Sequence, residues 1–312
     1  SLGANTTGTI NVAVGYGALT ANTTANNNTA IGYASLSDNT TGTRNTAVGT
    51  SSLANNETAH DNTAVGYNAL SNNTTGTGNV VVGTYSLDAN TTGNYNVAVG
   101  LQAYSAGTTG NYNVAVGQGA LYYATTASDN VALGRHTLLN TTTGADNTAI
   151  GASALRLNTT GGSNVAVGDS ALDANTTASY NTAVGVNALP ANTTGTYNTA
   201  VGHSALLAAT TADYNTAMGN QAMATATTGV RNTSYGYASL YYLTTGQKNT
   251  IVGYAAGHAI TTGDNNICIG EAAGRSNSPS GDITTGSDNV VLGNNDISNL
   301  YCADTSISSS DA

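Results

Sequence analysis

The chain has 312 residues, only 7% of them charged, and carries a net charge of −10. Ordinary domains are about one-quarter charged, and six Lys and Arg in all form no basic stripe, which excludes nucleic acid and an anionic membrane surface as expected partners. No apolar run approaches the roughly 20 residues that span a bilayer, so no membrane insertion is expected, and Cys268 and Cys302 are too few for a disulfide framework.

The chain opens at Ser1 rather than Met, with Leu2 already at a mid-repeat position and no signal peptide in view, so it reads as a piece of a longer protein. From residue 11 a strict period takes over. Asn recurs at 11, 28, 45, 62, 79, 96, 113, 130, 147, 164, 181, 198, 215, 232, 249, 266 and 289; every step is 17 residues except the last, which is 23. Such a period marks a repeat architecture and outranks any local reading. The consensus is Asn, Thr or Val, Ala, Val, Gly, two variable residues, Ala, Leu, two variable residues, Asn-Thr-Thr-Gly and two variable residues, numbered below as positions 1 to 17. Asn holds position 1 and Gly position 5 in every copy.

Seventeen residues are too few for a βα unit or a helical hairpin, and they suit one coil of an all-β parallel β-solenoid. Positions 1 to 5 alternate and carry β-branched residues, which predicts a short strand. Gly at position 5 permits a corner or a close backbone approach. Asn-Thr-Thr-Gly predicts a turn followed by a second short strand. Coils about 4.8 Å apart make a rod on the order of 80 Å long. Position 1, as at Asn45, Asn62 and Asn181, is expected to form an amide ladder, with Gly49, Gly66 and Gly185 at the matching corners. The aliphatics at positions 4 and 9, with Val at position 2 where it occurs, are the expected core. So few large groups per coil bury little area against the entropy lost. Association of several chains, a homotrimer first among them, is therefore expected.

The solenoid is expected over residues 1–296, with a six-residue insertion at 277–282 that carries Pro279 and Gly281 and maps to a surface bulge, the alternative being a recognition loop. Residues 297–312 form a C-terminal junction or tail. Cys268 replaces the small residue of position 3 and reads as a buried filler; a bridge to Cys302 is the alternative.

His60, His136, His203 and His258 occupy four different columns, so stacking gathers no metal cluster. No Ser-His-Asp or paired-carboxylate constellation stands out; no cofactor and no enzyme activity are expected. Position 17 holds Tyr95 and Tyr112 on consecutive coils and Tyr180, Tyr197 and Tyr214 on three more. Elsewhere this column takes Asp, Arg, Lys and Ser, so it reads as solvent-facing. Tyr rings at coil spacing make an aromatic strip suited to sugar rings or a protein surface, or else a packing ladder between chains. Tyr122 with Tyr123, and Tyr241 with Tyr242, mark a second edge. The Thr pair at positions 13 and 14 raises an ice-binding alternative, although adjacent residues point to opposite faces and leave one Thr column outward. The many Asn-Thr-Thr sequons are explained by turn chemistry.

Runs such as Asn147 to Gly151 resemble the head repeats of trimeric autotransporter adhesins. That resemblance covers nearly the whole chain and implies a left-handed β-roll with three chains side by side. Those heads have a shorter repeat, so the coil here is expected to be larger. The run Asn62 to Leu70 resembles bacteriophage tail-fibre proteins. The stretch from Ile297 to Ala312 is similar to the junction before an endosialidase-type intramolecular chaperone. There the nucleophile is a Ser followed by Asp, with a Lys a few residues on. Ser310 and Asp311 fit the first two as a candidate processing site, and no Lys follows in this sequence. The resemblance implies a structural fibre segment for host attachment, on a virion tail fibre or at a cell surface, with itself and a host-surface glycan or protein receptor as partners. A bacterial surface adhesin or filament is the alternative within the same repeat.

Overall fold

Each 17-residue period closes one coil, and each coil contributes a single three-residue strand at positions 2 to 4. In the computed structural model, which describes residues 1–299, seventeen such strands run from β1 (Val12–Val14) to β17 (Val290–Leu292) in one sheet. Ser310, Asp311 and Cys302 lie outside the described residues. Every strand pairs in parallel with its sequence neighbours in unshifted register, as Thr182, Ala183 and Val184 of β11 (Thr182–Val184) do with Thr199, Ala200 and Val201 of β12 (Thr199–Val201). This is a parallel β-solenoid, with no helix among the described residues.

The expected strand over positions 1 to 5 is shorter than its alternation allows, and the second strand at Asn-Thr-Thr-Gly is absent. At that segment both Thr N–H groups converge on one carbonyl of the next coil, as Thr159 and Thr160 do on Thr176, which makes a bend rather than a ladder. Coil-to-coil backbone bonds nonetheless continue outside the sheet. Gly185 N–H donates to Val167 O at 2.7 Å, Asn187 N–H to Asp169 O at 3.0 Å and Leu189 N–H to Ala205 O at 2.9 Å. The backbone donors of the turns are thus spent on the neighbouring coil, which a turn-rich chain needs in order to pack without orphaned polar groups.

The core differs from the sequence expectation in one respect that matters for function. Positions 2 and 4 face outward. The strand side chain that points inward is the Ala of position 3, as in Ala47, Ala64 and Ala183, all fully buried, while Ile31 and Val82 of position 4 are 40% and 39% exposed. Alternation along a strand forces this choice, and the close approach of facing walls selects the smaller residue for the inside. Leu of position 9 is buried as expected, from Leu19 through Leu240, with Tyr104 and Met223 standing in on two coils. The interior is completed by amides. Asn of position 1 is buried from Asn28 to Asn266, and so is Asn of position 12 wherever it occurs from Asn22 to Asn192.

Toward the C-terminus the position 12 column changes from Asn to Ala209, Ala226, Leu243 and Ile260, and the interior becomes aliphatic. Coil 6 solves the same packing problem differently. Tyr104 fills position 9, its neighbour at position 12 is Gly107, and a Cβ there would collide with the ring. The Tyr104 hydroxyl accepts from Asn113 Nδ2 at 3.0 Å, and burial pushes its pKa well above the usual tyrosine value. The insertion replaces positions 10 and 11 of coil 16 and is closed on itself: Ser276 N–H donates to Asp282 Oδ1 at 2.8 Å and Ser278 Oγ donates to Arg275 O at 2.8 Å.

Candidate functional site

The amide ladder is the scaffold on which every outward column depends. Asn62 N–H donates to Asn45 Oδ1 at 3.0 Å, and Asn45 Nδ2 donates to Ala59 O at 2.9 Å. Asn198 N–H donates to Asn181 Oδ1 at 2.9 Å, and Asn181 Nδ2 donates to Gly195 O at 2.8 Å. Each side chain therefore joins the strand corner of one coil to the turn of the next. Gly49, Gly66 and Gly185 have φ of +132°, +140° and +133°. A Cβ on Gly185 would lie 2.7 Å from both C and O of Gly202, so only glycine lets the corners stack. A second ladder runs through position 12: Asn175 Nδ2 donates to Asn158 Oδ1 at 2.9 Å, and Asn192 Nδ2 to Asn175 Oδ1 at 3.1 Å. Sequence reasoning took this Asn only for a turn residue. The ladder stops where Ala209 replaces the next amide, and Asn192 Oδ1 is left without a partner.

On this scaffold the outward side chains stand in vertical columns. Tyr95 stacks on Tyr112 with ring centroids 5.4 Å apart, Tyr180 on Tyr197 at 5.0 Å and Tyr197 on Tyr214 at 5.1 Å, each pair within 9° of parallel. These five rings are 49% to 58% exposed. All five residues sit at φ between +56° and +63°. That left-handed conformation suits the Asn, Asp or Gly found at position 17 on other coils and costs an aromatic residue energy. Here Tyr stands at the position against its local preference.

Position 6 supplies a second aromatic column that the sequence reading passed over. Tyr16 stacks on Tyr33 at 5.6 Å and Tyr237 on Tyr254 at 5.3 Å. Positions 17 and 6 flank the strand, so the two Tyr columns edge a strip whose centre is the outward, half-exposed Thr and Val of positions 2 and 4. The signal was present in the sequence: position 3 is restricted to small residues almost throughout, whereas positions 2 and 4 exchange freely between Thr, Val, Ile and Leu.

The second edge, at positions 10 and 11, is also aromatic. Tyr122 and Tyr123 are edge-on at 4.6 Å and border a cleft of about 180 Å³ with Gln102, Gln118 and His136. Tyr241 stacks on His258 at 5.3 Å while Tyr242 meets the same ring edge-on. Partial burial, with help from Arg275 and against Asp282, holds the His258 pKa below its ordinary value. His60 accepts the Thr43 N–H on Nδ1 at 2.9 Å and so serves the coil stack. No cluster of metal-ligating side chains occurs among the described residues. Cys268 is buried, and burial pushes its thiol up to about 11.

The Thr pair divides its labour. Position 13 hydroxyls donate to the carbonyl of the next coil, as Thr176 does to Thr193 O at 3.0 Å, while position 14 is exposed. One Thr column therefore faces water with its hydroxyls unengaged by the stack. No family model and no curated protein matches the chain.

Proposed function

We infer that the chain is a structural fibre segment for host attachment, a homotrimeric β-solenoid rod of the kind found in phage tail fibres, which presents a multivalent surface to a glycan or protein receptor outside the cell. The observation that carries this reading is the repetition of identical outward columns at coil spacing over seventeen unshifted coils, with exposed Tyr ladders among them. A rod about 80 Å long whose donors bond from coil to coil resists bending. Many weak contacts in series on such a rod add through effective concentration rather than through one deep pocket. Clefts of about 180 Å³, beside Tyr122, Tyr123 and His136, and of about 270 Å³, beside Lys248, Asp264 and Asp288, are small beside that surface. Exposed, stacked phenol rings suit the apolar faces of sugars and leave their hydroxyls free for hydrogen bonds. A bacterial surface filament would work by the same mechanism and differ in its anchor.

The test is attachment to a panel of bacterial cells by the purified rod, beside a Tyr180→Ser, Tyr197→Ser, Tyr214→Ser variant checked for retained β-structure by circular dichroism. Saturable binding, weakened at least tenfold in the variant, is the expected result. Binding to no cell type, together with thermal hysteresis and ice shaping by the same rod, would replace attachment with the ice-binding reading that the Thr columns raise.

A further inference from the structure

We propose that the cleft beside Tyr122 and Tyr123 is a binding site for one ring of a neutral glycan, a hexose or an N-acetylhexosamine. The site rests on the attachment reading above for its biological partner, and it narrows that partner from glycan or protein to glycan.

A missing side chain makes the cleft. Position 7 is held by Gln102, Gly119 and His136 on three consecutive coils, so its column is interrupted at Gly119. The gap between Gln102 and His136 spans two coil spacings, roughly 10 Å. A Cβ on Gly119 would lie 3.0 Å from His136 Cδ2, 3.6 Å from His136 Nε2 and 3.6 Å from Leu139 Cδ1, so an imidazole edge and an aliphatic wall face the place where a side chain would stand. On the same coil Tyr122 and Tyr123 hold positions 10 and 11, meet at 81° and wall the gap, and Gln118 completes the lining. Gly17 interrupts the same column near the N-terminus. There positions 10 and 11 are Thr20 and Ala21, and a Cβ would have only Ala34 and Thr20 as its nearest neighbours. The interrupted column and the aromatic corner coincide at Gly119.

The lining selects the ligand. It holds no carboxylate, ammonium or guanidinium, so a charged ligand finds no counter-ion. Its polar groups are two side-chain amides, two phenols and an imidazole. Among the described residues none of the five is spent on a hydrogen bond within the chain, unlike the buried Tyr104 hydroxyl. Amide, phenol and imidazole both donate and accept, which matches sugar hydroxyls, whereas an apolar ligand would leave these groups unpaired. The Tyr faces supply apolar contact to the ring. A volume of about 180 Å³ falls short of the roughly 300 Å³ at which pockets for drug-sized ligands begin, and so suits a single ring. The chain itself shows how such a corner takes a ring. Seven coils on, in the same two columns, Tyr241 and Tyr242 meet at 83°. The His258 imidazole sits against both, 15° from parallel to Tyr241 and edge-on to Tyr242 at 86°. At Tyr122 and Tyr123 the residue corresponding to His258 is Leu139, and the corner opens to the cleft instead.

The experiment is saturation-transfer NMR on the full chain with the methyl glycosides of glucose, galactose, mannose, N-acetylglucosamine and N-acetylgalactosamine, beside sialic acid. Binding of at least one neutral glycoside is expected, with a Kd on the order of 1 mM for so small a ligand. Gly119→Asn restores a side chain that Asn68 and Asn187 already carry in this column at φ +52°, so the coil is expected to fold. It is expected to weaken binding at least about tenfold by filling the cleft, and Tyr123→Ser about fivefold by removing a stacking face. Gly17→Asn, the same exchange at the other interruption, is expected to leave binding unchanged. Circular dichroism checks that each variant keeps its β-structure. No neutral glycoside bound, binding that survives Gly119→Asn, or sialic acid bound in preference overturns the site and leaves attachment through the Tyr ladders standing. Glycoside binding that Gly119→Asn abolishes, in a rod that attaches to no cell, keeps the site and overturns the attachment reading.

Discussion

Replacing Asn181 by Ala tests whether the buried amides hold the coils together. Asn181 is 1% exposed. Its Oδ1 accepts the Asn198 N–H at 2.9 Å and Asn198 Nδ2 at 3.2 Å, and its Nδ2 donates to Gly195 O at 2.8 Å. Gly195 O keeps a donor after truncation, since Asn192 Nδ2 also reaches it at 2.9 Å, and Asn198 Nδ2 keeps Ala212 O at 2.6 Å. The Asn198 N–H has no substitute. An orphaned buried N–H costs about 1–3 kcal/mol and the lost bond to Gly195 about 1 more, which places the variant roughly 3 kcal/mol down. In a repeat array that loss stays local to the adjoining coils. A single global unfolding energy is therefore the wrong readout, and hydrogen exchange resolved by peptide is the right one. Amides of the coils around residues 164–215 are expected to exchange about a hundredfold faster, at 1.4 kcal/mol per decade, with distant coils unchanged. Acceleration below tenfold, or spread evenly along the rod, would refute the assignment of coil cohesion to these amides.

Gly185→Ala forces a Cβ to within 2.7 Å of Gly202 at φ +133°, and is expected to cost at least roughly 2 kcal/mol, read as faster hydrogen exchange in the adjoining coils. Asn175→Ala is expected to cost about 1 kcal/mol more than Asn192→Ala in local exchange protection. Each truncation loses the Nδ2 bonds to the preceding amide and to its own turn, and only the first also withdraws an acceptor, from Asn192 Nδ2. Tyr104→Leu opens space beside Gly107, and Gly107→Asn collides with the Tyr104 ring. Together they rebuild the consensus coil, so a double-mutant cycle is expected to show a coupling energy of at least about 2 kcal/mol, and additive losses would refute the compensation.

Much of the architecture was legible because the period is stricter than any local propensity. Gly at every fifth position of the repeat is required by a corner where a Cβ has no room, and Asn at every first position by a bond pair that only a short amide can make in both directions. The outward Tyr of position 17 was legible because its column accepts Asp and Arg. The core was misread at position 4. Val48 and Val65 carry the chemistry of core residues, and hydropathy cannot tell a face packed on the interior from an apolar face left outside. The Asn of position 12 was misread in the opposite sense, since a turn residue and a buried ladder residue share one composition.

The sequence by itself determined the coil length, the number of coils and the columns, because stacking identical periods puts identical residues above one another whatever the coil's path. Only the tertiary structure decided which columns look inward. That choice depends on the distance between facing walls of the coil, set by Leu of position 9 and by the amides of positions 1 and 12. A coil filled in this way takes mostly Ala from the strand, with Val81, Ile251, Cys268 and Val291 as larger exceptions, and turns Thr and Val of positions 2 and 4 to the outside.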